Sequence, residues 1–187
     1  MGEQRERMVA GLPYDPLDPE LVEERARCRG ILQRFGRAAS EAEGMEILRG
    51  LLREVGTDAM VIGPLRCDYG WNVTLGDGAF LNYDVVILDC APVRIGARAL
   101  VGPRAQLIAA DHPQTPEDRA AGLESAAPVT VEDEAWIGAG AILLPGVTVG
   151  RGSIVGAGSV VTRDVPGGMV AAGNPCRVLR AVSAPAP

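Results

Sequence analysis

Residues 129–162 read VTVEDEAWIGAGAILLPGVTVGRGSIVGAGSVVT, and this stretch decides the fold. Val131, Ile137, Leu143, Val149, Val155 and Val161 stand six residues apart, and all are aliphatic. Two residues ahead of each stands a small or apolar residue: Val129, Ala135, Ala141, Val147, Ser153 and Ser159. Gly138, Gly150 and Gly156 follow three of the six. A helix repeats near four and a strand at two, so a strict six fits neither. It fits a parallel β-helix, in which each hexapeptide makes one flat face of a prism and three faces close a coil. The aliphatic residue of each face points inward and stacks on its counterpart 18 residues on. Corners turn tightly, often at positive φ, which suits glycine and small residues. One coil cannot bury its own aliphatic set, so several must stack.

Upstream the pattern begins with Leu75, Leu81 and Ile87. Ala91-Pro92 shifts it by two residues, and it resumes at Ile95, Val101 and Leu107. The shift predicts a longer corner. Leu107 and Val131 are 24 residues apart, yet Gln114 to Ser125 has no inward aliphatic pattern except Leu123. Residues 111–128 therefore read as a loop thrown out from the prism. Long loops on a regular scaffold are usually functional. Past Val161 the pattern fades at Pro166-Gly167-Gly168. Met169 to Ala172 is expected to add a last face, with a turn at Gly173-Asn174-Pro175. Val178-Leu179 reads as a short apolar strand or helix, and Ser183 to Pro187 as a disordered tail.

Residues 1–57 lack the hexad and read as helical. Asp18-Pro19-Glu20 is a helix start, with an N-cap acid and a proline at the first helical position. Ser40 and Glu43 make a capping box for a second helix, which Gly56 is expected to end. These helices cannot form a core alone and should pack on the first coils. The expected divisions are thus 1–57, a β-helix over 58–175, and a C-terminal segment over 176–187.

Composition limits the function. Hydrophobic residues make up 47% of the chain and aromatics 4%, which suits narrow aliphatic coils. The net charge of −6 argues against a nucleic-acid partner. All 18 basic residues are arginine, so local arginine clusters can still serve a small anion. Cys28, Cys67, Cys90 and Cys176 lack any C-x-x-C spacing, which points to free thiols in a reducing, cytoplasmic setting. The charged N-terminus has no apolar signal-peptide core, and no run of 18 apolar residues is present. His112 is the single histidine and opens the expelled loop. Histidine is the natural general base near neutral pH.

Tyr14-Asp15, Phe80-Leu81-Asn82-Tyr83, Ile87-Leu88-Asp89, Asp111-His112-Pro113 and Gly122-Leu123-Glu124 form one ensemble with Trp136-Ile137-Gly138 and Gly156 to Thr162, followed by Asp164-Val165-Pro166. It resembles the maltose and galactoside O-acetyltransferases and their nodulation-protein relatives, among the hexapeptide-repeat acyltransferases. The match runs from about residue 5 to residue 180.

The resemblance implies a left-handed coil, acetyl-CoA as co-substrate, and a homotrimer with active sites between subunits. It implies His112 as base and Asn82 as an acceptor-side or oxyanion residue. Asp15, Asp68, Asp89 and Glu124 are the other acceptor-side candidates, although such acids also cap turns. For coenzyme A it implies Gly102, Ala139, Gly140, Gly156 and Ala157 along the corners. Thr162, Arg163, Arg177 and Arg180 would stand near its phosphates, and Trp136 near the thioester. Arg163 replaces the family's lysine. Asp68 and Cys90 depart from the galactoside type, and Glu124 follows the maltose type. The γ-class carbonic anhydrases share the β-helix but bind zinc through three histidines, so one histidine argues against a metal centre. Two other readings stay open: a non-sugar or amine acceptor, and a catalytically silent scaffold.

Overall fold

The computed structural model describes residues 2–183, so most of the expected tail lies outside the described residues. Three parallel sheets form the three faces of a prism. Face 1 stacks Glu54–Val55, Val73–Leu75, Val93–Ile95, Val129–Val131 and Thr148–Val149. Face 2 stacks Met60–Val61, Phe80–Leu81, Leu100–Val101, Trp136–Ile137, Ile154–Val155 and Met169–Ala172. The antiparallel strand Arg177–Ala181 closes its end. Face 3 stacks Leu65–Cys67, Val85–Leu88, Gln106–Ile108, Ile142–Leu143 and Val160–Val161. The chain visits the faces in the order one, two, three, and then climbs one coil.

The hexad residues fill the prism. Leu75, Ile95, Val131 and Val149 on face 1 are fully buried, as are Leu81, Ile137 and Val155 on face 2. Each such side chain contributes roughly 1.5–3 kcal/mol on burial. The stacking interval of 18 residues holds for Val131 on Val149, Ile137 on Val155 and Leu143 on Val161. Earlier coils run to 20 residues, as in Leu75 on Ile95, Leu81 on Val101 and Ile87 on Leu107. The extra length falls always at the corner after face 3. There the inward spacing is eight residues from Cys67 to Leu75 and from Ile87 to Ile95, and 24 from Leu107 to Val131. The predicted long corner is thus one of a column.

The first coil begins earlier than the sequence reading has it. Val55, Val61 and Cys67 pair with Leu75, Leu81 and Ile87. The helices differ in number, with the first unannounced by any start signal, and at one boundary. Helix α1 spans Glu3–Val9, α2 spans Pro19–Phe35 and α3 spans Glu41–Arg49. Asp18 and Ser40 cap the last two as expected. Gly50, not Gly56, ends α3, and Val55 already belongs to face 1.

Glycine serves these corners less by φ than by close approach. Positive φ is held by Asp58, Asp84, Arg98, Arg104 and Glu134 as well as by glycines. At Gly96 and Gly138 the need is spatial: a Cβ would lie 2.5 Å from the amide nitrogens of Asp133 and Ala157 in the next coil. Side chains there would pry the coils apart.

The helical segment docks on the long corner of the first coil. The Trp71 indole donates to Glu24 Oε2 at 2.6 Å, beneath the Arg5 guanidinium, 4.2 Å from the ring centroid. Arg25 donates to Tyr69 Oη at 2.7 Å. The expelled segment is an ordered arm. Ala110–Asp111 pairs antiparallel with Ser125–Ala126, and a short helix α4, Pro116–Ala120, caps its tip.

Candidate active site

The long corner gathers acidic and proton-carrying side chains. Asp68 comes from the first coil, Asp89 and Cys90 from the second, and the arm from the third. Tyr14 joins them from the N-terminal segment. It bridges to Glu124 through reciprocal backbone bonds of 3.0 Å, and its hydroxyl donates to Glu124 Oε2 at 2.8 Å. The other Glu124 oxygen lies 3.9 Å from His112 Nε2. That distance is ion-pair range, longer than a hydrogen bond. Glu124 is 22% exposed and His112 61%, so an anchored acid stands behind an open imidazole.

Asp89 has no exposed surface. Its Oδ1 accepts the amides of Asp68 and Tyr69, both at 2.9 Å, while Oδ2 is buried without a partner. Asn72 Nδ2 donates to the Asp89 carbonyl at 2.8 Å. The expected acceptor-side aspartate therefore lies beneath the corner and holds the coil below it. Burial raises its carboxyl to about 6. Burial also raises Asp68, against the pull of Arg25. The Cys90 thiol lies 3.8 Å from Asp68 Oδ2, and burial pushes it up to about 12. Tyr14 is likewise raised above its ordinary value, by burial first and Cys90 second. At neutral pH this corner offers a hydroxyl, a thiol and carboxylates, and no thiolate nucleophile. Asp15 is exposed beside Tyr14, with Oδ1 accepting the Leu17 amide at 2.8 Å.

The remaining candidates divide by corner. Asn82, Gly102, Ala139, Gly140, Gly156 and Ala157 stack in one column at the corner between faces 2 and 3. Asn82 Oδ1 accepts the Tyr83 amide at 2.8 Å. Ala139 and Ala157 are exposed, and among the described residues their amides meet no protein acceptor. At the corner between faces 1 and 2, by contrast, Asp77 and Asp133 accept the equivalent amides of Thr57 and Ala97, at 2.7 and 2.9 Å. Alanine in place of aspartate leaves a track of open donors. Thr162 and Arg163 are exposed at the last turn of the long-corner column. Trp136 is 49% exposed on the outer side of face 2, between Leu100 and Ile154. Arg177 and Arg180 lie on the closing strand. Within one chain, His112 and Asn82 stand at different corners.

Tyr14 was visible in the sequence but carried no role there, because its partner is 110 residues away. Cys90 stood out only as a departure from the family pattern. Among the described residues no group of acidic, histidine or cysteine side chains has the arrangement of a metal site.

Comparison with known proteins bears on this geometry. The family model described as maltose acetyltransferase hexapeptide capping motif matches residues 7–56. The model for bacterial transferase hexapeptide repeats matches residues 128–163. Nodulation protein L of Rhizobium meliloti is 46% identical over 94% of this chain and 97% of its own. The crystal structure of a maltose O-acetyltransferase from Clostridium difficile 630 superposes with a TM-score of 0.94 at 38% identity, covering 97% of this chain and 98% of that one. A galactoside acetyltransferase in complex with coenzyme A superposes with a TM-score of 0.92 at 32% identity, over 98% of this chain and 92% of that one. With its helical cap, its hexad prism and its histidine-bearing arm, the chain belongs to the maltose and galactoside O-acetyltransferase family of hexapeptide-repeat acyltransferases.

Proposed function

We propose that this protein transfers acetyl from acetyl-CoA to a hydroxyl of a maltose-, glucose- or galactoside-like sugar. The observation that carries the reading is His112, open to solvent on the arm and backed by Glu124 at 3.9 Å. His112 takes the proton of the acceptor hydroxyl, whose oxygen attacks the thioester carbonyl carbon directly. The C–S bond then breaks, acetyl passes to the acceptor oxygen, and the proton leaves with the thiol of coenzyme A. General-base assistance of this kind contributes roughly 10²–10⁴-fold. Glu124, tethered by Tyr14, favours the imidazolium that forms. Asn82 or a free corner amide stabilises the oxyanion. Asp15 and Asp68 bind acceptor hydroxyls, and Asp89 positions Asp68 from below.

The pantetheine amides of coenzyme A suit the open donors of Ala139 and Ala157, with Gly102, Gly140 and Gly156 giving close approach. Thr162, Arg163, Arg177 and Arg180 serve the phosphates, and Trp136 covers the thioester region. Because Asn82 and His112 stand at different corners, a site using both draws them from two copies. This supports a homotrimer with active sites between subunits. The outer side of face 2 supports it too, since Met60, Leu100 and Trp136 are 38%, 46% and 49% exposed in one apolar ladder. Four free thiols fit a cytoplasmic setting. Among the described residues no helix is long and apolar enough to cross a membrane.

Free-thiol release from acetyl-CoA, with maltose, glucose and galactosides as acceptors, tests the reading. Sugar-dependent release that collapses in His112→Ala is expected. Release confined to an amine or a non-sugar alcohol would overturn the sugar assignment. A fully active His112→Ala would overturn the base.

A further inference from the structure

A cavity of about 520 Å³ opens between the C-terminal half of α2 and the first strand of face 3. Its volume is in the range of small-molecule pockets. Leu32, Pro64 and Leu65 supply apolar wall, and Arg29, Arg37 and Arg66 reach it from both sides. Asp68 is the one acid in its lining, and it joins the cavity to the long corner through Cys90.

The cavity is a local concentration of positive charge on an acidic chain. The whole carries a net charge of −6, and among the described residues Arg5, Arg49, Arg98, Arg104 and Arg151 lie within ion-pair distance of acids. The guanidinium groups of Arg29, Arg37 and Arg66 make no hydrogen bond or ion pair among the described residues. Asp68 offsets part of the Arg29 charge, but three cations facing one concavity with a single acid still repel one another, and an anion placed among them relieves that repulsion and gains charge-assisted hydrogen bonds. The apolar wall accepts the less polar face of a sugar ring, and Asp68 accepts from its hydroxyls.

We propose that the cavity binds an anionic saccharide, one carrying a carboxylate or phosphate held by Arg29, Arg37 and Arg66. This rests on the acetyl-transfer reading only in making that saccharide, or a longer chain containing it, the acceptor. Its position beside Asp68 places the charged group behind the acceptor hydroxyl, away from His112. A neutral sugar leaves the three arginines unpaired.

Equilibrium binding of glucuronate, glucose 6-phosphate and glucose to the whole protein, without acetyl-CoA, tests the cavity directly. Either anionic sugar is expected to bind at least about tenfold tighter than glucose, the effect of one charge-assisted pair. Arg66→Gln should remove that advantage while glucose binding stays unchanged. The two anionic probes distinguish a carboxylate from a phosphate. Acetyl transfer then follows KM: Arg66→Gln raises KM for the anionic acceptor about tenfold and leaves kcat in place. Anionic sugars binding no tighter than glucose would overturn the proposal whatever the transferase assay shows. Anion binding lost in Arg66→Gln sustains it even if no acetyl is transferred, in which case the reaction assignment alone falls. Arg66 is exposed, and an unchanged melting temperature confirms that the variant is folded.

Discussion

Two corners of the same prism are built to opposite rules. Between faces 2 and 3 the inward residues stay six apart, and small residues at Gly102, Ala139, Gly140 and Ala157 keep the coils flush. After face 3 the spacing grows to eight and then to 24, and the added residues carry the acids, Cys90 and the arm with His112. The first corner minimises side chains so that backbone is exposed. The second adds chain so that side chains can gather. A solenoid can do both because each corner is independent of the inward stack: length added there leaves the inward register intact.

The sharpest way to break this contrast is at the arm. His112→Ala should lower kcat roughly 10²–10⁴-fold and leave the melting temperature unchanged, because the side chain is 61% exposed. Thiol release and thermal melts on the same sample check both halves.

Next comes the flush corner. Gly138→Val places a side chain whose Cβ would meet the Ala157 amide at 2.5 Å and the Val155 carbonyl at 2.7 Å. Overpacking against backbone should cost roughly 1–3 kcal/mol or more, read from urea unfolding. A Cβ added at Gly122, on the arm, meets nothing within 4 Å, so the cost of Gly122→Ala comes from its φ of +76°.

Tyr14→Phe sharpens the long corner. It removes the 2.8 Å bond to Glu124 from a side chain with no exposed surface. Losing a hydrogen bond to a carboxylate should cost about 1.5–3 kcal/mol of stability. If Glu124 backs His112 as proposed, kcat falls while KM for acetyl-CoA stays in place. An unmoved kcat would reduce Tyr14 to a purely structural tie.

The smallest effect concerns Asp89. Its folded carboxyl is raised by burial to about 6 from 3.8, so the folded chain holds a proton that the unfolded chain has shed. That contribution to stability is full below about pH 4 and is lost as the pH rises through about 6. Asp89→Asn carries no titrating proton and brings a donor where Oδ2 had no partner. Its melting temperature should therefore vary less between pH 4 and 6 than that of the parent. Equal slopes would show that another group, Asp68 being the nearest, carries the dependence.

Much of this was legible in the sequence. Val131 to Val161 announce the prism because the same environment recurs at every face and selects the same kind of side chain. Asp18 and Ser40 announce helix starts because a cap is a contact between near neighbours. His112 drew attention because it opens the one stretch that breaks the pattern. Other features were not legible. Val55 and Val61 are in hexad phase, but Cys67 and the widened corner after it hid the first coil. Asp89 read equally as an acceptor-side acid and as a turn acid, and only three-dimensional packing shows it turned inward onto the Asp68 and Tyr69 amides.

The sequence by itself determined the repeat, the inward stack, the helical cap and the place of the arm. All are local: they depend on residue types at short, regular spacings. Only the tertiary structure decided which corners align in columns, that Tyr14 clamps Glu124, that Asp89 is buried, and that Arg29 of α2, Arg37 just past its end and Arg66 of face 3 line one cavity. Those facts depend on summing corner lengths coil by coil, and on contacts between residues as far apart as 110 positions, which no local pattern encodes.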